Sequence, residues 1–253
     1  MIEVEGLTRR YDGTLAVDGV SFRVEAGELL ALVGGSGSGK TTTLKMINRL
    51  VEPDAGRVVI DGTDAASLEA HDLRRSIGYV FQGVGLFPHM SVAENVGVPL
   101  RLAGWPRGGI EARVAEMLRL VELDVELGRR APATLSGGQQ QRVGVARALA
   151  ASPRVLLLDE PFGALDPLTR DRLQGSFDAL RRRLGLTAVF VTHDVAEALV
   201  LADRIGVMRS GRLVQVGTPG ELARSPADEE VARLLDTPRR QARVVAARLE
   251  SLP

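Results

Sequence analysis

Cysteine is absent from this chain of 253 residues. That excludes disulfides, zinc sites built on thiolates and thiol catalysis, and it fits a reducing compartment. An excess of one charge is missing too. Lys+Arg and Asp+Glu stand at 32 each, so no net field draws the chain to a nucleic-acid backbone or an anionic bilayer. No apolar run approaches the roughly 20 residues of a membrane helix. The opening Met1-Ile2-Glu3-Val4-Glu5 alternates at once and lacks the basic-then-apolar start of a secretory signal. Any membrane role is therefore expected to be peripheral, through a partner. Aromatic residues are scarce at 4%, so an exposed one needs a reason. What is present, 45% hydrophobic and 25% charged residues, suffices at this length for one large domain, or a domain with a subdomain.

The chain shows no internal repeat, low-complexity tract or long linker. Its start reads as β, with Ile2 and Val4 alternating with acids and Val20, Phe22 and Val24 alternating with Ser21 and Arg23. Residues 29–33 form a short apolar run ending in glycines, the pattern of a buried strand. A helical pattern follows, with Leu44, Ile47 and Leu50 expected on one face. Residues 57–62 read as a strand and turn, and residues 77–81 as another strand. Between about 91 and 132 the period is helical, first Val92, Val96 and Leu100, then Val114, Met117, Leu118 and Val121. Strand-like runs return at 155–158, 188–192 and 205–208. Such alternation argues for the α/β class, a parallel sheet covered by helices and interrupted by an inserted helical subdomain. The expected division is a domain over 1–237, with its core at 1–83 and 134–237 and the helical subdomain at 84–133. A basic tail over 238–253 carries Arg239, Arg240, Arg243 and Arg248 beside Val244, Val245 and Leu249. It is expected to form a short helix on the protein's own surface, or to contact a partner.

Chemistry is concentrated in a few motifs. The stretch Gly34-Gly35-Ser36-Gly37-Ser38-Gly39-Lys40-Thr41 is a complete phosphate-binding loop. Glycines let the backbone curl and aim several N–H groups at one anion, Lys40 adds a point charge, and the following helix presents its positive end. The Thr41 hydroxyl is placed for Mg²⁺. Asp159 closes the apolar run Leu156-Leu157-Leu158, so its carboxylate is expected at the C-terminal edge of a buried strand, where ligands of α/β proteins bind and where it would hold the metal. Glu160 is the candidate general base that polarises the attacking water. The stretch Leu135-Ser136-Gly137-Gly138-Gln139 offers a second anion site, with Ser136 capping a helix over 139–151.

Together, the phosphate loop, Leu135-Ser136-Gly137-Gly138-Gln139-Gln140-Gln141-Arg142 and Leu157-Leu158-Asp159-Glu160 resemble the ATP-binding cassette (ABC) ATPases over nearly the whole chain. The resemblance implies a phosphate-loop NTPase fold, with a RecA-like parallel core, an N-terminal antiparallel β region and an inserted helical subdomain. It implies ATP and Mg²⁺ as ligands. It assigns Thr42 with the loop to nucleotide, Tyr11 to the adenine ring, and Gln82 to the metal and attacking water. It assigns Asp166 to a loop crossing a dimer interface and His193 to the γ-phosphate and the orientation of Glu160. The signature of one subunit closes over the ATP of the other in this family. A homodimer, or a pair with a second ABC ATPase, is therefore expected. His71 and His89 receive no catalytic role.

The finer wording, Phe81-Gln82-Gly83-Val84-Gly85-Leu86-Phe87-Pro88-His89-Met90 and Pro161-Phe162-Gly163-Ala164-Leu165-Asp166-Pro167-Leu168-Thr169-Arg170, is similar to ATPase subunits of bacterial importers for quaternary amines such as glycine betaine, carnitine and choline. That implies a transmembrane permease, an extracytoplasmic substrate-binding protein, and a place on the inner face of the cell membrane. Leu86, Phe87 and Met90 are expected either in the permease cleft or beneath the helical subdomain; Trp105 is expected to pack locally. Many osmoregulatory members add a tandem C-terminal regulatory domain, for which the chain reads as too short, so osmotic gating is not expected. Importers of polar amino acids share much of the wording. An exporter or lipid-trafficking ATPase is a further alternative. A soluble ATPase acting on ribosomes or DNA is another, but no second cassette, coiled coil or zinc module is visible, and the neutral net charge argues against strong binding to a phosphate backbone.

Overall fold

The computed structural model describes residues 1–83, 85–163 and 165–250, with side chains through Arg248. Val84 and Ala164 of the two longer motifs, the Leu249 side chain and residues 251–253 of the tail lie outside the described residues. The chain runs β1 (Ile2–Tyr11), β2 (Thr14–Val24), β3 (Leu29–Val33), α1 (Lys40–Ile47), β4 (Ala55–Ile60), β5 (Thr63–Asp64), α2 (Ala70–Ser76) and β6 (Ile77–Val80). Helices α3 (Val92–Leu102), α4 (Arg107–Leu120) and α5 (Gly137–Ala150) come next. Then follow β7 (Val155–Asp159), α6 (Pro167–Leu184), β8 (Thr187–Thr192), α7 (Val195–Leu201), β9 (Arg204–Arg209), β10 (Arg212–Gly217), α8 (Pro219–Arg224) and α9 (Glu229–Glu250).

Two sheets result. The larger has the order β10-β9-β3-β8-β7-β6. Its β9, β3, β8, β7 and β6 are mutually parallel, and β10 pairs antiparallel with β9 at the edge. The smaller, β2-β1-β4-β5, is antiparallel. The continuous apolar runs of β3, β7 and β8 are buried on both faces because each strand feeds two cores. Leu29, Ala31, Leu156, Leu158 and Phe190 point into one, shared with Val96, Leu100, Met117 and Leu118 of the helical insert. Leu30, Leu32, Leu157, Val189 and Val191 point into the other, closed by Ile2, Val4 and Phe22 of the antiparallel sheet. Each fully buried Leu or Phe contributes about 1.5–3 kcal/mol, so the strand centres hold the sheet edge in place.

Helix boundaries follow local chemistry. Capping boxes open α3 at Ser91 with Glu94 and α5 at Ser136 with Gln139. Asp166 caps α6, Pro167 takes its first turn, and Gly185 ends it in the left-handed region at φ 61°.

Two details depart from the sequence pattern. Helix α1 stops at Ile47 and Arg49 turns the chain with φ 54°, so Leu50 leaves the buried stripe and is exposed. Pro238 lies inside the single helix α9 and starts no separate element. Val231 and Leu235 of that helix are buried, whereas residues 239–248 are exposed, so this stretch does not lie packed on the body.

Candidate active site at the C-terminal sheet edge

The loop between β3 and α1 wraps around Lys40. Its ammonium donates to the carbonyls of Gly34 at 2.8 Å and Gly35 at 2.9 Å, and to Ser38 Oγ at 3.2 Å. Burial lowers the Lys40 pKa, while the carboxylates of Glu160 and Asp159 oppose that shift. Two glycines are required by space as well as by φ. A Cβ on Gly34 (φ 151°) would run into the Met208 carbonyl, and one on Gly39 (φ 100°) would sit 2.5 Å from the Ala16 carbonyl. The second contact brings the β1–β2 hairpin against the loop. Tyr11 lies at the end of β1, exposed, with the Arg9 guanidinium 4.9 Å from its ring centre. The β9–β10 turn clamps the other side, where Gly211 N–H donates to the Ser38 carbonyl at 3.1 Å.

At the end of β7, Asp159 is buried and accepts a hydrogen bond from Thr41 Oγ1 at 2.9 Å. Burial raises its pKa against the pull of Thr41, Lys45 and Lys40. Thr41 and Asp159 are hard oxygen donors suited to a small divalent cation. Among the described residues no group of three or more His, Cys, Asp or Glu side chains could hold a metal alone. The donor set therefore fits an ion shared with another anionic ligand.

Glu160 takes the left-handed region at φ 47°, a conformation costing a residue with a Cβ about 1–2 kcal/mol. Its N–H donates to the Val191 carbonyl at 2.9 Å, and its own carbonyl accepts from Gln141 Nε2 at 3.4 Å. These anchors offset the strain and turn the carboxylate out of the sheet. Parallel pairing sets Asp159 beside Val191, which delivers His193 to the same edge. Gln82 Nε2 donates to Glu160 Oε2 at 3.1 Å, and His193 Nδ1 lies 3.2 Å from Glu160 Oε1. The structure thus brings Lys40, Thr41, Gln82, Asp159, Glu160 and His193 together, with half-buried Thr42 in the first turn of α1.

The signature residues lie elsewhere. Ser136 Oγ accepts from Gln139 N–H at 3.3 Å, while Gln139 Oε1 accepts from Ser136 N–H at 3.0 Å. Ser136 and Gly137 are exposed. A Cβ on Gly138 would meet Leu165 at 3.2 Å and Thr169 at 3.4 Å, so this turn packs on the Asp166 loop. Asp166 is exposed and accepts from Thr169 N–H at 3.0 Å, which holds its carboxyl below the usual range. Among the described residues, none of Ser136, Gly137, Gly138, Gln139 and Asp166 is hydrogen-bonded to the phosphate loop or Glu160. Gln141, quoted within the signature stretch without a role, is buried behind Glu160, and Gly211 against the loop belongs to none of the motifs. The Ser210-Gly211 dipeptide signals a turn, but nothing local says what the turn touches.

An apolar groove of about 590 Å³ runs between α2, β6 and α3, lined by Leu50, Tyr79, Phe81, Phe87 and Leu102. Arg147 from α5 donates to the Gly85 carbonyl at 2.8 Å, its guanidinium 6.0 Å from the Phe81 ring and 5.8 Å from that of Phe87. Leu86 packs against the main core and Met90 is half-buried, so only Phe87 of the three apolar loop residues lines the groove. Trp105 lies over Gly109, whose Cβ would stand 3.6 Å from the indole. His71 pairs with Asp72 at 3.2 Å and His89 sits edge-on to Phe87 at 6.0 Å, both away from Glu160.

Comparison with known proteins meets this geometry. A family model described as ABC transporter matches residues 17–163. The choline transport ATP-binding protein OpuBA of Bacillus subtilis is 50% identical over 236 residues, 93% of this chain and 62% of its own length. The chain thus spans less than two thirds of that relative. The glycine betaine uptake system ATP-binding protein YehX of Escherichia coli is 48% identical over 91% of this chain and 75% of its own. Among solved structures, the dimeric post-hydrolysis state of the ATP-binding cassette MJ0796, bound to ADP and Pi, superposes with a TM-score of 0.80. It is 33% identical, covering 86% of this chain and 98% of that one.

Proposed function

The chain belongs to the ABC transporter family, and on that footing we propose that it is the ATP-hydrolysing subunit of a membrane importer for a small quaternary-amine solute. The observation that carries the hydrolytic reading is the convergence of Gln82 and His193 on the two oxygens of Glu160, beside Thr41–Asp159. ATP enters with its β- and γ-phosphates on Lys40 and the loop N–H groups. Thr41, Asp159 and Gln82 would hold Mg²⁺ beside the phosphates, and the ion would supply positive charge against the charge developing on the transferred group. Glu160 takes a proton from water as the oxygen bonds to the γ-phosphorus and the bond to the β,γ-bridging oxygen breaks, leaving ADP and phosphate. Gln82 and His193 hold Glu160 for that step, and His193 reaches the γ-phosphate.

The second anion site belongs to a second copy, or to another ABC ATPase paired with this one. Ser136 and Gly137 are exposed and Gly138 and Gln139 half-buried behind them, in a helix N-terminus suited to the γ-phosphate held by the partner. Asp166 lies on the same face, and Tyr11 borders the loop as a platform for adenine. ATP favours the closed pair and hydrolysis releases it, a shift driven by differential affinity. The MJ0796 cassette, solved as a dimer with ADP and Pi, supports this arrangement.

No helix among the described residues is long and apolar enough to cross a membrane. Attachment to the inner face of the cell membrane then runs through a permease whose cytoplasmic segment occupies the groove at Phe81, Phe87 and Leu102. An extracytoplasmic binding protein supplies the solute. The solute class rests on relatives named for choline and glycine betaine. The test is a detergent pull-down of tagged Glu160→Gln chain with ATP. Recovery of a multi-spanning permease and a binding protein is expected, and the latter's ligand gives the solute. Recovery of ribosomal proteins or nucleic acid would overturn the transport assignment.

A further inference from the structure

Around the two residues that flank His193 in the chain, a buried polar cluster takes no part in the scheme above. Its centre is Glu197, in the first turn of α7 and 6% exposed. Thr192 Oγ1 donates to Glu197 Oε2 at 2.7 Å, and Gln174 Nε2 of α6 donates to Oε1 at 3.2 Å. The same Thr192 oxygen accepts from Asp194 N–H at 3.0 Å. Asp194 in turn caps α7, its Oδ1 accepting from Ala196 N–H at 2.9 Å and Glu197 N–H at 3.4 Å. Both residues flanking His193 are thereby fixed to Glu197.

The cluster reaches further through α6. Arg170 Nη2 donates to the Leu165 carbonyl at 3.1 Å, one residue before Asp166. Its Nε is buried without a hydrogen-bond partner among the described residues and stops 3.7 Å from Glu197 Oε1, and its Nη1 lies 3.8 Å from Asp194 Oδ2. The guanidinium so stands between the Asp166 loop and the carboxylate, one hydrogen bond short of closing. An apolar side chain would fill the Glu197 position at lower cost, since desolvation of a carboxylate is unfavourable and here raises its pKa. What the carboxylate adds is a defined arrangement of three elements.

The geometry points to Glu197 as a positioning residue that ties the histidine loop after β8 to the Asp166 loop before α6, so that the loop orienting Glu160 and the loop facing the second copy shift as one unit. The inference rests on the hydrolytic reading of Glu160 and His193 given above. A partner pressing on the Asp166 loop would move Arg170 onto Glu197 and, through Thr192 and Asp194, set the His193 ring. Glu197 touches neither nucleotide nor water in this account; it acts through His193.

The test uses the chain's small histidine count, three in all, which makes each ring resolvable by NMR on ¹³C-histidine-labelled protein. Glu197→Gln retains hydrogen-bonding atoms but removes the charge that Arg170 approaches. It is expected to lower kcat for ATP about tenfold, with KM within about twofold. It should also shift the His193 ring signals and leave those of His71 and His89 in place. An unmoved His193 signal, or an unchanged kcat, would overturn the proposal. Arg170→Gln, which spares the buried carboxylate, is read in the same way should Glu197→Gln fail to fold. A wild-type chain that hydrolyses no ATP would refute the hydrolytic reading, whereas the histidine shift would still report whether Glu197 holds the loop.

Discussion

The edge of the parallel sheet and the N-terminus of α5 both suit phosphate, yet they are finished differently. At the sheet edge the polar groups converge. Lys40 is wrapped by its own loop, Thr41 meets Asp159, and Gln82 and His193 meet Glu160. At the starts of α5 and α6 the polar side chains close on themselves, the exposed Ser136 with half-buried Gln139 and the exposed Asp166 with half-buried Thr169. Among the described residues no hydrogen bond joins Ser136, Gln139 or Asp166 to the phosphate loop or Glu160; one half is preorganised, and in the proposed scheme a second copy supplies the other. In that scheme preorganisation fixes where ATP would be hydrolysed, and separation makes hydrolysis conditional on pairing.

Substitutions can break each half alone. Lys40→Ala should have the largest effect, weakening ATP binding at least about 100-fold by removing the charge facing the phosphates. Equilibrium binding with a fluorescent ATP analogue checks it, and unchanged affinity would remove Lys40 from the site. Glu160→Gln should keep ATP affinity while kcat falls by about 10²–10⁴, the usual worth of a general base, read in a steady-state phosphate-release assay. Ser136→Arg acts on the other half alone. Hydrolysis should drop more than about tenfold, while ATP affinity of the single subunit stays within about twofold. Equal loss of both would place the signature in its own chain's site. Asp166→Ala is the mildest. Loss of the α6 cap should cost about 1 kcal/mol in urea unfolding, with ATP affinity of the isolated subunit unaffected.

The two halves also differed in how far the sequence disclosed them. Side chains presented by short motifs were legible, because Gly34, Lys40, Thr41 and Ser136 work through local backbone geometry. So was the sheet, since runs such as residues 155–158 and 188–192 can satisfy both faces only when buried. What stayed hidden depends on contacts distant in sequence. The φ of Glu160 is sustained by Val191 and Gln141, and neither leaves a local mark. The antiparallel edge strand β10 and the clamp of Gly211 on Ser38 depend on β9 lying beside β3, a pairing of residues distant in sequence. Leu50 fits the helical period of α1 and fails because Arg49 ends the helix. Glu197 belongs to none of the motifs, and its partners Gln174 and Arg170 come from another helix, α6.

The central claim, that a second copy completes the site, is tested most directly by multi-angle light scattering of Glu160→Gln chain with and without Mg²⁺–ATP. The account predicts a monomer without nucleotide and a long-lived dimer with it, abolished by adding Ser136→Arg. A monomer in the presence of saturating ATP would contradict it.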